Sequence, residues 1–277
     1  MYHPESVYRA EKKYISHLEH FFTRVWGETN LHSHDIDHHR RVWLFAKELL
    51  TSLYNEEKSA PVSAEKVLIA SYLHDAGMSL DSGVNHGVHS RSLCSKFLAD
   101  NNLPENEFTE VLEAIEMHDN KDVDYSLSPN HVLKILAAAD DLDAFGFIGI
   151  YRYSEIYLAR EIPPERIGYM IRKNAGLRFE NFKAAFWSSQ ALITKHSERY
   201  FILDDFFSAY NNQVPGYRFG NQNPSGYCGV IEYLNETGIK KDSAQRLVAG
   251  SLLNTSDQTI NWYFKGLLNE LHHFSQL

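Results

Sequence analysis

Three pairs of adjacent histidine and aspartate residues stand out in the chain, at positions 34–35, 74–75 and 118–119. Imidazole nitrogens and carboxylate oxygens are ligands for iron, manganese, zinc and magnesium. Histidine is also unevenly distributed, because nine of the 15 histidines lie between His32 and His131. This pattern predicts a metal site in that part of the chain.

The candidate ligands lie at or near the ends of predicted helices. His38 opens one helix, and Asp140 lies late in another. His74 and Asp75 close a third, apolar helix, which lies between those two in the sequence and ends in the stretch SYLHDAGM. If these helices form a bundle, one end of it could hold a metal with positions left open for water. Such a metal lowers the pKa of bound water toward about 7, which would suit hydrolysis at neutral pH.

Apolar residues recur at three- and four-residue steps almost throughout, and no convincing run of alternating residues predicts a strand. We therefore predict an all-α fold, with a multi-helix bundle over residues 25–160 and a helical extension over 161–277 that packs on the same core. Ser63 is the expected N-cap of a largely buried helix that Gly77 terminates. Ser128 is the expected cap of a later helix with Pro129 in its first turn. Further helices are expected over 38–53, 89–100, 105–118 and roughly 178–210.

Composition excludes several classes of partner. The formal net charge of −9 argues against a broad surface for nucleic acid or for an anionic membrane. No stretch approaches the roughly 20 apolar residues that a membrane-spanning helix needs. The two cysteines, Cys94 and Cys228, make no disulfide framework, so a reducing, cytoplasmic location is expected. Cys94 has no neighbouring motif that would activate it and is expected to fill space in the core.

Four short motifs occur in a fixed order: HDIDH at 34–38, HHRRV at 38–42, LHDAG at 73–77 and AADDLDAFG at 138–146. In type and order they resemble the HD-domain superfamily of metal-dependent phosphohydrolases. The resemblance covers about residues 30–150 and implies an HD-type helical bundle. It also implies that one or two divalent ions bind, drawn from Mn, Mg, Fe, Zn or Ni. The implied metal ligands are His38, His74, Asp75 and Asp140.

The resemblance leaves two further histidines with alternative roles. His86 and His118 match positions that bind substrate phosphate in some branches and a second metal in others. We assign them to substrate binding. His86 is the stronger candidate than His89, because Ser90 and Cys94 then supply the small residues of the family pattern.

Other residues could complete a site for phosphate chemistry. His34 either touches substrate or forms a hydrogen bond at the helix entry, while Arg91 and Lys121 could supply positive charge to a phosphate. Asp81 and Asp119 are the available candidates for a general acid or base. Arg41 is expected to pair with a carboxylate such as Asp143 or to approach a phosphate. His32, His39 and His131 are expected at the surface.

The leading hypothesis is hydrolysis of a phosphate ester or anhydride in a small phosphorylated molecule such as a nucleotide. The chain could also form a homo-oligomer. One alternative is oxygen chemistry, since dinuclear iron oxygenases in the same superfamily use His, His-Asp, two further histidines and Asp as ligands. The other alternative is a non-catalytic module that senses nucleotides.

Overall fold

The protein is built from helices throughout the part of the chain that the structure describes. The structure, a computed structural model, describes residues 4–55, 62–83, 85–120, 124–220, 223–236 and 255–276. These residues contain eleven α-helices and no strand, which confirms the predicted all-α class. None of these helices combines the length and the apolar character that crossing a bilayer requires. The helices are α1 (Pro4–Trp26), α2 (Ile36–Asn55), α3 (Ala64–Leu73), α4 (His86–Asp100), α5 (Thr109–Met117), α6 (His131–Asp143), α7 (Gly146–Ala159), α8 (Pro164–Ala185), α9 (Gln190–Gln213), α10 (Gly226–Glu236) and α11 (Gln258–Ser275).

The chain divides into two compact units. The first comprises the described residues of Met1–Thr29, His34–Leu142 and Asn181–Leu192. The second comprises those of Asn30–Ser33, Asp143–Glu180 and Ile193–Leu277. All the residues predicted to bind metal belong to the first unit. The domain boundary predicted between residues 160 and 161 stays a prediction.

Helix α3 lies at the centre of the first unit. Every residue from Val67 to Leu73 is buried, because α1, α2, α4 and α5 all pack against this helix. A helix that is apolar on all sides is stable only inside a core, where each large side chain contributes about 1.5–3 kcal/mol. Because His74 and Asp75 follow α3 directly, the same burial carries an imidazole and a carboxylate into the interior.

Two glycines let the segments that carry histidines approach one another. A Cβ atom on Gly77 would lie 2.3 Å from the carbonyl oxygen of His86 and 2.4 Å from the backbone nitrogen of Ser90. A Cβ atom on Gly87 would lie 2.6 Å from the carbonyl oxygen of Glu116. The turn after α3, the start of α4 and the end of α5 can therefore meet only because neither position has a side chain.

The second unit is held together by partly buried polar contacts as well as apolar packing. Helices α7, α10 and α11 pack against one another. Glu270 of α11 accepts hydrogen bonds from the backbone nitrogen of Ile148, at 2.8 Å, and from Arg199 Nε, at 3.0 Å. Arg199 also donates to the carbonyl oxygen of Phe145 at 2.8 Å. These bonds tie α9 and α11 to the start of α7.

Two predicted helix starts can be compared with the structure. Ser63 is the residue before α3, as predicted, although its side chain makes no capping hydrogen bond. The prediction that Ser128 caps the later helix is wrong, because α6 begins at His131 and leaves Pro129 outside. Asn130 caps α6 instead, since its Oδ1 accepts from the backbone nitrogen of Leu133 at 3.1 Å.

Two other predictions about helix ends were also wrong. Helix α3 ends at Leu73, so Gly77 is not its terminator and lies in the short 3₁₀ turn Ala76–Ser79. The long helix predicted over 178–210 is two helices, because α8 ends at Ala185 and α9 begins at Gln190.

The close contact at Gly77 generates a stability prediction. We expect Gly77→Ala to lower the free energy of unfolding by about 1–3 kcal/mol, because the clashing atoms belong to backbone and cannot turn aside. Urea unfolding followed by circular dichroism measures the change. The matched control is Gly176→Ala in α8, where the new Cβ would meet only Tyr200 Oη at 3.6 Å. The control should be neutral or stabilising by up to about 1 kcal/mol. Equal stability of the two variants would contradict the argument.

Candidate metal centre

Buried histidine and aspartate side chains from five elements converge inside the first unit. They are carried by the start of α2, the residues after α3, the start of α4, the residue after α5 and the late part of α6. Each lies at or near a helix end, as predicted from the sequence. The six side chains are His38, His74, Asp75, His86, His118 and Asp140.

Four of these side chains form a first donor group: His38, His74, Asp75 and Asp140. One potential ligand atom from each lies within 4.8 Å of the others. The Nε2 atoms of His38 and His74 are 3.1 Å apart. Asp75 Oδ2 is 3.6 Å from His38 Nε2 and 3.4 Å from His74 Nε2. Asp140 Oδ1 is 3.6 Å from His38 Nε2.

A second donor group consists of Asp75, His86 and His118. It uses the other oxygen of the same carboxylate, because Asp75 Oδ1 is 3.1 Å from His118 Nε2 and 3.5 Å from His86 Nε2. Asp75 therefore belongs to both groups, with Oδ2 facing one and Oδ1 facing the other. The histidines assigned to substrate binding from the sequence lie here beside a carboxylate that could share a metal with them.

Backbone carbonyls fix which ring nitrogen faces the centre. The Nδ1 atoms of His74, His86 and His118 lie 2.7–3.0 Å from the carbonyl oxygens of Ser71, Gly83 and Ile115 respectively. A carbonyl oxygen can only accept a hydrogen bond, so each Nδ1 carries the proton. Each Nε2 then faces Asp75 and its neighbours, and it is the ring nitrogen left to bind a metal once it carries no proton.

The pKa values follow from burial and from the charges that face each other. Burial alone would raise the pKa of Asp75, but the imidazoles of His74, His118 and His38 hold it well below its ordinary value. Burial alone would lower the pKa of His118, but the hydrogen bond and the charge of Asp75 raise it to about 9. Burial lowers the pKa of His74. Without a metal, the centre therefore holds an ionised Asp75 beside a protonated His118.

The donor set fits a divalent cation. Atoms that each lie about 2.1 Å from one ion are separated from one another by about 3–4 Å. The separations within the first group that involve His38 Nε2, from 3.1 to 3.6 Å, fall in that range. Two imidazole nitrogens at 3.1 Å would otherwise need a proton between them in a fully buried environment, whereas a cation satisfies both lone pairs.

His34 lies at the margin of this centre. Its Nε2 is 3.9 Å from Asp75 Oδ2, and its ring centroid is 5.2 Å from that of His38. It does not belong to either donor group, although it is buried beside the first. This position is compatible with the predicted contact to substrate, and the role of His34 stays a prediction.

The remaining predicted residues occupy less central positions. Asp81 is half-buried, and its Oδ1 accepts from the backbone nitrogen of Gly83 at 2.8 Å. Arg91 is exposed and forms an ion pair with Glu116 between α4 and α5. Asp119 is half-buried next to His118, and Lys121 lies outside the described residues. The substrate-binding roles of Arg91 and Lys121 and the catalytic roles of Asp81 and Asp119 stay predictions.

His39 was predicted at the surface, and that prediction was wrong. Its side chain is fully buried, with its ring centroid 4.3 Å from that of Phe22. Burial lowers its pKa well below the ordinary value, so the ring is neutral. Its Nδ1 lies 3.2 Å from the carbonyl oxygen of Ser71, which also accepts from His74. The sequence contained one indication of this burial, because His39 adjoins His38 at the start of an amphipathic helix. The prediction did not use it.

Two buried carboxylates next to Asp140 have partners that the sequence did not indicate. Asp141 Oδ2 accepts from the hydroxyl of Tyr125 at 2.7 Å. Asp143 Oδ2 accepts from Arg152 Nη1 at 3.2 Å. The predicted pairing of Asp143 with Arg41 stays a prediction. Arg152 lies in the aromatic run IYRYSEIY, and Tyr125 is the single aromatic residue of 121–130, so no motif in the sequence singled either of them out.

Comparison with known proteins supports the same region of the chain. The family model described as HD domain matches residues 35–144, a range that contains both donor groups. No curated protein and no solved structure matches the chain significantly. The matched range agrees with the motifs at 34–38, 38–42, 73–77 and 138–146. Residues 35–144 therefore match an HD domain, which confirms the resemblance predicted from those motifs.

Proposed function

We propose that the protein is a metal-dependent phosphohydrolase that cleaves a phosphate ester or anhydride with metal-activated water. The observation that carries this proposal is the two-sided environment of Asp75. Its Oδ2 faces His38 and His74 at 3.6 and 3.4 Å, and its Oδ1 faces His118 and His86 at 3.1 and 3.5 Å. A carboxylate placed in this way can bridge two cations, so we propose a dinuclear centre.

The residues of the chain have separate parts in this proposal. Divalent ions held by the two donor groups would polarise a phosphoryl oxygen and lower the pKa of a bound water toward about 7. His38, His74 and Asp140 orient the first side of the centre, and their burial limits competing water. In this proposal His34 donates a hydrogen bond to a substrate oxygen, and its position at the margin of the first group supports that part.

The substrate in this proposal is a small phosphorylated molecule, such as a nucleotide. The net charge of −9 argues against long nucleic acids as substrates, because their repeated phosphates need an extended basic surface. Arg91 is already paired with Glu116, so we give it a smaller part in phosphate binding than His34. A cytoplasmic location and self-association remain part of the proposal.

A second candidate function is oxygen chemistry at a dinuclear iron centre. The observation that favours it is the second donor group, because His86 and His118 complete the set of one His, one His-Asp, two further His and one Asp. The same set can hold two hydrolytic metals, so the ligands alone do not separate the two reactions. A non-catalytic sensor is disfavoured by the complete set of buried donors.

Metal binding provides the first prediction. We expect two ions per chain, lost together in Asp75→Ala because its carboxylate belongs to both groups. His118→Ala should weaken binding of the second ion alone, lowering the affinity of the second donor group by at least about 100-fold. Calorimetric titration with Mn²⁺ and elemental analysis measure the stoichiometry. His89→Ala is the matched control, since this half-buried histidine of α4 belongs to neither group. A parental metal content in Asp75→Ala would refute the ligand assignment.

Metal affinity should also depend on pH. His118 has a pKa of about 9 without metal, so an ion must displace its proton at neutral pH. Affinity of the second group should therefore rise with pH, by up to about tenfold per unit between pH 7 and 9. Titration in buffers of different ionisation enthalpy measures the released proton. The first ion, measured in His118→Ala, should show a smaller dependence over the same range. A second ion that binds equally at pH 7 and 9 would contradict this account.

The reaction itself can be tested directly. Phosphate release from a panel of nucleotides and simpler phosphate esters is expected with Mn²⁺, Mg²⁺ or Fe²⁺, under both aerobic and anaerobic conditions. Asp140→Asn should lower the rate by at least about 100-fold, because it removes one anionic ligand from the first group. Two bound irons with oxygen consumption, and no phosphate release from any compound, would instead establish the oxygenase alternative.

A further inference from the structure

We propose that Asp81 is a positioning residue that holds the ring of His86 through the backbone of Gly83, so that His86 Nε2 faces Asp75. The sequence suggested Asp81 as a general acid or base, which is a different role. The inference rests on the proposed function in one respect, namely that the second donor group binds an ion. The position of the ring can also be measured without any metal.

Three contacts in series carry the proposal. Asp81 Oδ1 accepts a hydrogen bond from the backbone nitrogen of Gly83 at 2.8 Å. In this type of turn, a carboxylate binds the backbone nitrogen of the second residue after it. The carbonyl oxygen of Gly83 then accepts from His86 Nδ1 at 2.7 Å. On the far side of the ring, His86 Nε2 lies 3.5 Å from Asp75 Oδ1. The Asp81 carboxylate thus influences the position of His86 Nε2 indirectly, through the backbone of Gly83 and the imidazole ring.

His86 needs this support more than the other histidines do. The acceptors for His74 and His118 are the carbonyls of Ser71 and Ile115, which belong to the regular helices α3 and α5. The acceptor for His86 belongs to Gly83, which lies between the 3₁₀ turn at 76–79 and the start of α4. Ser71 and Ile115 are held in place by the helices to which they belong, whereas Gly83 lies outside a helix and its backbone nitrogen is bound by the Asp81 carboxylate.

Gly83 provides an independent way to disturb the same turn. A Cβ atom at this position would lie 2.9 Å from Asp81 Oδ1, which is the end of a flexible side chain. Gly83→Ala should therefore displace the carboxylate without a large loss of stability. If Asp81 acts through the turn, Gly83→Ala should reproduce the effect of Asp81→Ala at the second donor group.

The decisive comparison is between Asp81→Asn and Asp81→Ala. Asparagine keeps an oxygen that can accept from Gly83, so its affinity for the second Mn²⁺ should stay within about threefold of the parent. Alanine removes the acceptor, and the affinity should fall about 10–100-fold, as when other outer partners of metal-binding histidines are lost. The first Mn²⁺ should bind normally in both variants. Calorimetric titration measures both affinities, with thermal unfolding as a check that each variant is folded.

The tautomer of His86 gives a second readout in the metal-free protein. Nitrogen-15 NMR of labelled histidines should report Nδ1–H for His86 in the parent and in Asp81→Asn. In Asp81→Ala and Gly83→Ala it should report a mixture of tautomers. Asp257→Ala is the matched control, because it removes a similar bond to the backbone nitrogen of Thr259 in the second unit. It should change neither readout.

Two outcomes would overturn the proposed role of Asp81. Equal losses of affinity in Asp81→Asn and Asp81→Ala would overturn the proposal, because the charge would then matter more than the turn. An unchanged His86 tautomer in Asp81→Ala would overturn it as well. If the parent binds no second ion, the dinuclear part of the proposed function fails. The tautomer measurement still decides whether Asp81 positions the ring.

Discussion

The first unit depends on burying the carboxylate of Asp75 among imidazoles. An isolated ionised carboxylate in a protein interior is strongly unfavourable, so it must be surrounded by groups that favour its charge. Here His38 and His74 face one oxygen, and His86 and His118 face the other. The segments that bring these rings inward must therefore end close to the tip of α3.

Packing and polarity are coupled at this point in the fold. Helix α3 can lie at the centre because every residue from Val67 to Leu73 is buried, and this largely apolar stretch ends where His74 begins. The neighbouring segments approach closely because Gly77 and Gly87 leave room for backbone. The polar residues then contact one another and nearby carbonyls, so a centre rich in ionisable groups is compatible with its burial.

The features that could be predicted from the sequence were those that depend on local residue patterns. The all-α class followed from helical periodicity. Polar residues at the ends of predicted helices gave candidate donors, and the resemblance to HD-domain motifs assigned the ligands among them. The partners brought in by the fold were not visible, because they come from distant segments or from backbone. His39 is buried against Phe22 of another helix, and Arg91 is paired with Glu116 across α4 and α5. The carbonyl of Ser71 has no side-chain signature at all.

The position of Asp75 in both donor groups has a thermodynamic consequence. Two cations that share one carboxylate cannot bind independently, since each reduces the negative charge available to the other and repels it. Their coupling free energy is reciprocal: the first ion weakens the second by the same factor that the second weakens the first. If two cations bind as proposed, a singly loaded form should therefore dominate over a range of metal concentrations. The doubly loaded fraction would then report the supply of metal around the protein.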